Sequence, residues 1–376
     1  MSSSWADRLS LFGESHGAGI GIVLNGLPPG FAPDWAELRR EMRRRAPGRS
    51  ALTTERREAD EVEILSGVFQ ERTTGAPLCA MIRNTDTRSA DYEEIRFKPR
   101  PGHSDYPAFI RYGGFNDYRG GGHFSGRLTA PLVFAGALIK QILRQSGVSV
   151  GAHILRVHDV LDDSFTAAAP SAEDLAALAA SPLPVLDPEV RPRMEKAIAA
   201  ARAAGDSVGG IVECAVLGLK PGLGAPFFDS AESALARLLF AVPAVKGVSF
   251  GLGFALAERR GLESNDAYFY DAEGRVRTRT NNCGGLLGGL TTGMPLVCQA
   301  AIKPTASVAL PQETVDLREK SPASLALRGR HDPCVVLRAV PVIESVTALA
   351  IWDLMEKSGA GLQGEARNDE RGIYDD

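Results

Sequence analysis

Residues 210–257 read GIVECAVLGLKPGLGAPFFDSAESALARLLFAVPAVKGVSFGLGFALA. The run Gly210 to Leu217 is short, apolar and entered through glycine, which reads as a buried strand. Asp229 with Glu232 three positions on reads as a helix start, because an aspartate side chain accepts from amides that the first turn leaves unpaired. That helix continues to Phe240, and Val245 to Ala257 returns to strand character. Strand, helix and strand in one connected passage make the chain mixed α/β.

The same signals spread outward from this passage. Helices are expected over Asp34 to Arg45, Pro131 to Gln145, Ser171 to Ala180, Pro188 to Ala204 and Ser345 to Lys357, with Gly147, Gly205 and Gly359 as stops. Asp34 with Glu37, and Ser171 with Asp174, repeat the capping pattern. Further strands are expected over Ile20 to Leu24, Val62 to Val68, Leu78 to Ile82 and Leu296 to Ile302. The alanine-rich segment from Ala167 to Ala204 keeps helical spacing and reads as ordinary helix. Two strand-helix-strand passages, Gly67 to His153 and Gly210 to Lys303, suggest a pseudo-repeat without a shared period. No linker divides residues 1–376, so one domain is expected, with a charged, flexible tail at 364–376.

Composition narrows the function. With 376 residues, 44% of them hydrophobic, the chain can bury a large core, and a formal net charge of −4 recommends neither nucleic acid nor a membrane as partner. The polar start, Met1 to Asp7, and the lack of a long uninterrupted apolar run point to a cytoplasmic protein. Cys79, Cys214, Cys283, Cys298 and Cys334 are widely and irregularly spaced, which argues against disulfides or a zinc site and for buried small hydrophobes. No metal is expected.

Three turns carry the chemistry: Gly13-Glu14-Ser15-His16-Gly17, Arg100-Pro101-Gly102-His103-Ser104-Asp105-Tyr106 and Gly329-Arg330-His331-Asp332-Pro333. Each frames histidine, arginine or aspartate with residues that fix unusual backbone paths, and together they look like a site for an anionic substrate. Arg39, Arg40, Arg43, Arg44, Arg45, Arg49, Arg56 and Arg57 lie within nineteen residues that hold no lysine. Most are expected to be solvated or paired with Glu37, Glu41, Glu55 or Glu58 on an amphipathic helix that turns Leu38 and Met42 inward, while a pair reaches a ligand. Glycine loops at 118–127 and 281–293 permit close backbone approach to a flat or phosphorylated ligand, but neither has Rossmann or P-loop spacing.

Seven stretches, in order, resemble the chorismate synthase family. They are Phe12-Gly13-Glu14-Ser15-His16-Gly17, Arg100-Pro101-Gly102-His103, Asp117-Tyr118-Arg119-Gly120-Gly121-Gly122, Val242-Pro243-Ala244-Val245-Lys246-Gly247-Val248, Asn282-Cys283-Gly284-Gly285-Leu286-Leu287-Gly288-Gly289, Lys303-Pro304-Thr305 and Gly329-Arg330-His331-Asp332-Pro333-Cys334. The resemblance implies a β-α-β sandwich of the α+β type, with helices between two mainly antiparallel sheets, in a homotetramer. It also implies an FMN-dependent lyase that performs the anti-1,4-elimination of phosphate from 5-enolpyruvylshikimate 3-phosphate, giving chorismate, the last common step of the shikimate pathway. Reduced FMN is the implied cofactor, and NADPH or a separate flavin reductase the implied source of its electrons.

Residue roles follow from the same resemblance. His16, Ser15, His103 and Asp332 match catalytic positions, and Arg45, Arg49, Arg100, Arg127 and Arg330 match substrate positions. His123, Phe124, Ser125, Pro243, Ala244, Gly288, Lys303, Pro304, Thr305, Ala306 and Ser307, with Arg330 again, match the flavin site. Read without the resemblance, His123, His153, His158 and His331 are ordinary turn or cap histidines. The chain departs from the family pattern at His123-Phe124-Ser125-Gly126-Arg127-Leu128-Thr129 and at Ala51, where many members carry arginine. Two other readings are a metal-dependent hydrolase, which lacks adjacent ligand pairs, and a flavin-binding or flavin-reducing module without lyase activity, which would not need the Arg-His turns.

Overall fold

The first sheet owes its position to a two-residue alternation. In β2, Gly19–Leu24, the side chains of Ile20, Ile22 and Leu24 are wholly buried, and each pairs in register with a buried residue of β4, Leu78–Arg83: Ile82, Ala80 and Leu78. β1, Leu9–Gly13, and β3, Val62–Ser66, complete an antiparallel sheet in the order β1-β2-β4-β3. The computed structural model describes residues 8–48, 60–85, 94–327 and 332–358. Arg49, Ala51, Arg56, Arg57, Arg330, His331, Gly359 and the 364–376 tail lie outside the described residues.

The second sheet contains β5, Ser149–Val157, β6, Val160–Leu161, β7, Gly210–Leu217, β8, Val245–Phe250, and β9, Leu296–Ile302. Its order is β8-β9-β7-β5-β6, again with every neighbour antiparallel. The main helices are α1, Trp35–Arg45, α2, Asp105–Arg111, α3, Thr129–Gln145, α4, Ala172–Ala180, α5, Arg191–Ala203, α6, Ala231–Ala241, and α7, Val336–Lys357. α3 packs on β2 and β4 of the first sheet, α7 on β5 and β7 of the second, and α3 and α7 on each other. One apolar cluster runs through this stack, so the fold is the expected β-α-β sandwich.

Lying between two sheets, α3 is buried almost all round and carries few charges. The stretch Arg119–Gln145 is long and apolar enough to cross a membrane, but 94% of its most apolar window is inside the protein. Gly136 is its point of closest approach: an added Cβ would stand 2.2 Å from the Ser345 Cβ of α7.

The charges that do enter this layer are paired. Lys140 of α3 donates to Glu41 at 2.7 Å and to Glu344 at 2.8 Å, while Arg44 of α1 donates to Glu344 through both terminal nitrogens and to Glu41. Burial alone would raise the Glu344 carboxyl, but Arg44 and Lys140 outweigh it and hold the group down at about 2. This knot fastens α1, α3 and α7 together and fixes where the end of α1 emerges.

Most expected elements form, with informative shifts. The α1 cap is Asp34, and Ser171 with Asp174 makes the capping box of α4. The cap of α6 is Ser230 and not Asp229; the Ser230 hydroxyl accepts from the Ser233 amide, while Asp229 ends a short 3-10 turn. β8 stops at Phe250, seven residues short of expectation, because Gly251 and Gly253 turn the chain into a 3-10 segment, Gly253–Glu258. α7 begins nine residues early, with Pro341 inside it, and the Ser345 hydroxyl donates to the Pro341 carbonyl at 2.6 Å. Gly147 and Gly205 end their helices with positive φ.

All five cysteines are free thiols. Cys214 of β7 and Cys298 of β9 are register partners, and both are wholly buried, as is Cys334. His153 is more than a cap. It lies fully buried between Asp162, 3.1 Å from Nδ1, and Glu213, 2.9 Å from Nε2. Burial would lower this imidazole, yet its two carboxylate partners raise it above the ordinary value.

Candidate functional site

β1 ends at Gly13 with φ near 92°, and the loop that follows carries Ser15 and His16 back toward β2. A second loop closes over it: Gly122 O accepts from Ser15 N at 3.1 Å, and the His123 ring bonds Gly13 O at 2.9 Å. Gly120, Gly121 and Gly122 all have positive φ, a region that disfavours a side chain. An added Cβ on Gly120 would lie 2.4 Å from His16 Cδ2 and 2.8 Å from Ser15 Oγ, and one on Gly121 would lie 3.1 Å from His103 Cε1. Adjacent glycines thus let one backbone rest on both histidines.

The His103 turn is held by a carboxylate. Asp105 accepts from the Arg100 amide at 3.0 Å, from Arg100 Nε at 2.7 Å and from Arg100 Nη2 at 2.8 Å, and its Oδ1 is 2.6 Å from His103 Nδ1. Arg100 also donates to the Ser307 hydroxyl at 3.2 Å, which brings the 303–307 segment against this turn.

Arg45 and Arg127 share a second carboxylate. Asp60 accepts from Arg45 Nη1 at 2.7 Å and from Arg127 Nη1 at 2.5 Å, and all three side chains are buried. Burial, with Arg338 and Arg127 nearby, pulls the Arg45 guanidinium down to about 10 despite Asp60. Asp60 would be raised by burial, but the two guanidinium groups hold it below the usual carboxylate range. Asn84 accepts from Arg127 Nε at 2.8 Å and donates to Glu14 O and Gly17 O, so it joins the His16 loop to this arginine.

Arg45, Arg100, His103, Gly120, His123 and Arg127 border one cavity of about 860 Å³. Its opposite wall is Phe240 to Lys246 and Ile302 to Ser307, and Asp332 closes one side, held by Arg338 Nη1 at 2.5 Å. Lys303 Nζ donates to Gly102 O at 2.7 Å; burial and the neighbouring Lys246 charge lower it. Among the described residues the Thr305 hydroxyl is buried with no hydrogen-bond partner, as is that of Ser15. Arg45, Arg100, Arg127, Lys246 and Lys303 give the cavity an anion-binding character, and its size suits an organic cofactor with a substrate.

A family model described as chorismate synthase matches residues 8–355. The chain belongs to the chorismate synthase family. The chorismate synthase of Thermococcus kodakarensis is 51% identical over 349 residues, 92% of this chain and 94% of that protein. That of Methanothermobacter thermautotrophicus is 44% identical over 353 residues, 94% and 93% of the respective lengths. A crystal structure titled chorismate synthase superposes with a TM-score of 0.73 at 28% identity, covering 94% of this chain and 92% of that one.

Of the positions matched to the chorismate synthase family by sequence, Arg45, Arg100, His103, His123, Phe124, Ser125, Arg127, Pro243, Ala244, Lys303, Pro304, Thr305, Ala306, Ser307 and Asp332 line the cavity. Ser15 and His16 stand directly behind Gly120, which lines it. Gly288 sits apart, exposed in the turn between Leu286–Leu287 and Leu290–Thr291. Arg49 and Arg330 fall outside the described residues. Sequence reasoning missed Asp60, Asn84, Asp105, Lys246 and Arg338. Asp105 stood inside a quoted turn, and its place two residues after His103 was the available signal.

Proposed function

We propose that this chain carries out the FMN-dependent anti-1,4-elimination that turns 5-enolpyruvylshikimate 3-phosphate into chorismate. One observation carries the reading: Arg45, Arg100, Arg127, His103 and Asp332 converge on the same cavity as Lys303. A substrate with one phosphate and two carboxylates calls for such a set of arginines. The flavin site fits the residues present: the Lys303 ammonium suits a phosphate, and the Thr305 hydroxyl, buried without a partner among the described residues, lies in the same wall as Ala244. Reduced FMN, when bound, supplies negative charge transiently as phosphate departs.

His103 gives a proton to the departing phosphate, Asp332 accepts the ring proton, and His16 with Ser15 controls the proton on the flavin side. The arginines hold the substrate anions so that the breaking bonds stay aligned. A flavin-binding or flavin-reducing module has no use for the Arg100-His103 turn, which the cavity incorporates. The same reading includes NADPH or a separate reductase as electron source, a cytoplasmic setting and a homotetramer. The exposed Phe227, Phe228, Phe254 and Leu262 and the edge position of β8 support association of copies.

The test is anaerobic turnover of the substrate with chemically reduced FMN, following chorismate and phosphate together. Equal release of both is expected; flavin binding without either product overturns the lyase reading. His16→Ala and His103→Ala are expected to fold and bind ligand with most turnover lost, and wild-type turnover in either removes that residue from the mechanism.

A further inference from the structure

We propose that Asp105 is a positioning residue for His103: its carboxylate fixes the ring proton on Nδ1 and stabilises the imidazolium, leaving Nε2 as the nitrogen that gives and takes protons. The inference rests on the elimination proposed above and adds to it the device that orients its acid.

The geometry begins with the contact of 2.6 Å between His103 Nδ1 and Asp105 Oδ1. An ionised carboxylate offers only acceptors, so the shared proton belongs to Nδ1. Asp105 is ionised at any working pH. Burial pushes it up, but the bonds from Arg100 and His103 outweigh burial and hold it well below the usual carboxylate range. The side chain is only 8% exposed, so water competes weakly for its oxygens.

Asp105 is the first residue of α2, where an aspartate ordinarily serves the unpaired amides of the helix start. Here its bonds go the other way. Oδ2 takes the Arg100 amide and Nε, and Oδ1 takes Arg100 Nη2 and His103 Nδ1. The preceding residue, Ser104, makes no side-chain cap. The carboxylate therefore serves the Arg100–His103 turn and not the helix.

A purely structural role would need only the bonds to Arg100, which close the turn. The contact to Nδ1 adds nothing to that closure, yet it sets the tautomer of the ring. On the other edge Gly121 lies close, and a methyl there would stand 3.1 Å from Cε1 and 3.2 Å from Nε2, so the missing side chain leaves room beside Arg100 Nη2, which lies 3.3 Å from Nε2 and 3.1 Å from Nδ1. In the proposed reaction the carbon–oxygen bond breaks, the phosphate oxygen keeps the electron pair, and the Nε2 proton passes to that oxygen. Neutral His103 remains, with its Nδ1 proton still donated to Asp105.

Asp105→Asn separates the two roles. Its amide oxygen is drawn to the Arg100 amide and Nε, which keeps two of the three bonds that close the turn and gives up the one from Arg100 Nη2, while its NH2 faces Nδ1 and forces that nitrogen to accept. The ring proton then moves to Nε2, and the imidazolium loses its partner. Nitrogen-15 spectra of the histidines, with His103→Gln to assign the signal, should show a protonated Nδ1 in the wild type and a protonated Nε2 in the Asn variant. With unfolding temperature and KM little changed, kcat should fall about 10²- to 10⁴-fold. Asp105→Glu, which restores the charge, should recover most of that loss and the wild-type pH profile. The proposal is overturned by an unchanged His103 tautomer in Asp105→Asn, by a kcat within threefold of wild type, or by a loss confined to KM. A wild type that makes no chorismate would instead remove the proposed reaction, and the nitrogen-15 comparison would still decide the Asp105–His103 pairing.

Discussion

Replacing Gly120 by alanine tests whether the glycine loop is what seats His16. The added Cβ would lie 2.4 Å from His16 Cδ2 and 2.7 Å from His16 Nε2, where ordinary contact begins near 3.4 Å. The ring must retreat by about 1 Å, and a misplacement of that size at a reacting group costs on the order of 10²-fold in rate. Alanine at a φ of 60° also carries a backbone cost of about 1–2 kcal/mol. Gly113 provides the control: it has the same φ of 60°, but its added Cβ would meet Phe115 at an ordinary 3.7 Å. Both variants should show the backbone cost in thermal unfolding, Gly120→Ala with the cost of the clash added, and only Gly120→Ala should lose about two orders of magnitude in anaerobic turnover with reduced FMN. Equal turnover in the two variants would refute the idea that close contact with this loop positions His16.

Asp332→Asn keeps an oxygen for the Arg338 guanidinium and so should fold, but an amide accepts no proton. Its single-turnover rate should fall about 10²- to 10⁴-fold with flavin affinity within threefold of wild type, measured by stopped flow and flavin titration. Glu344→Gln breaks the buried knot with Arg44 and Lys140 and should cost about 3–5 kcal/mol near pH 7 in urea unfolding. Because the folded Glu344 is depressed to about 2, its contribution is present above the ordinary carboxylate value and disappears as pH falls toward 2. The gap between wild type and variant should therefore narrow between roughly pH 4 and pH 2.

The sequence was most legible where one local rule decides the outcome. Asp34 and Ser171 cap helices because a short polar side chain reaches forward to the unpaired amides of the first turn, and Gly147 and Gly205 stop helices because a left-handed residue is needed. Periodicity failed at the start of α7, where burial on nearly all sides leaves no face to give a phase and Pro341 stands inside the helix. The layered architecture itself depended on resemblance to a family, since strand order cannot be read from alternation alone. In the site, residues with distinctive chemistry in glycine-framed turns were found. The groups that hold them were not: Asp60 and Asn84 reach Arg127 from 67 and 43 residues away with nothing local to mark them, and Asp105 was marked only by its place two residues after His103.

The paired thiols of β7 and β9 give this chain a built-in reporter of its own opening. Only a thiolate reacts readily with an alkylating reagent, and burial drives Cys214 well above the ordinary thiol value and Cys334 up to about 12. Labelling at these positions must wait for the surrounding layer to part. Peptide mapping after timed alkylation would then give two separate opening rates, one for the middle of the second sheet at Cys214 and Cys298 and one for the entry to α7 at Cys334, beside Asp332. If ligands stiffen the cavity, the second rate should slow while the first stays the same, so native cysteines would distinguish closure of the site from stabilisation of the whole molecule.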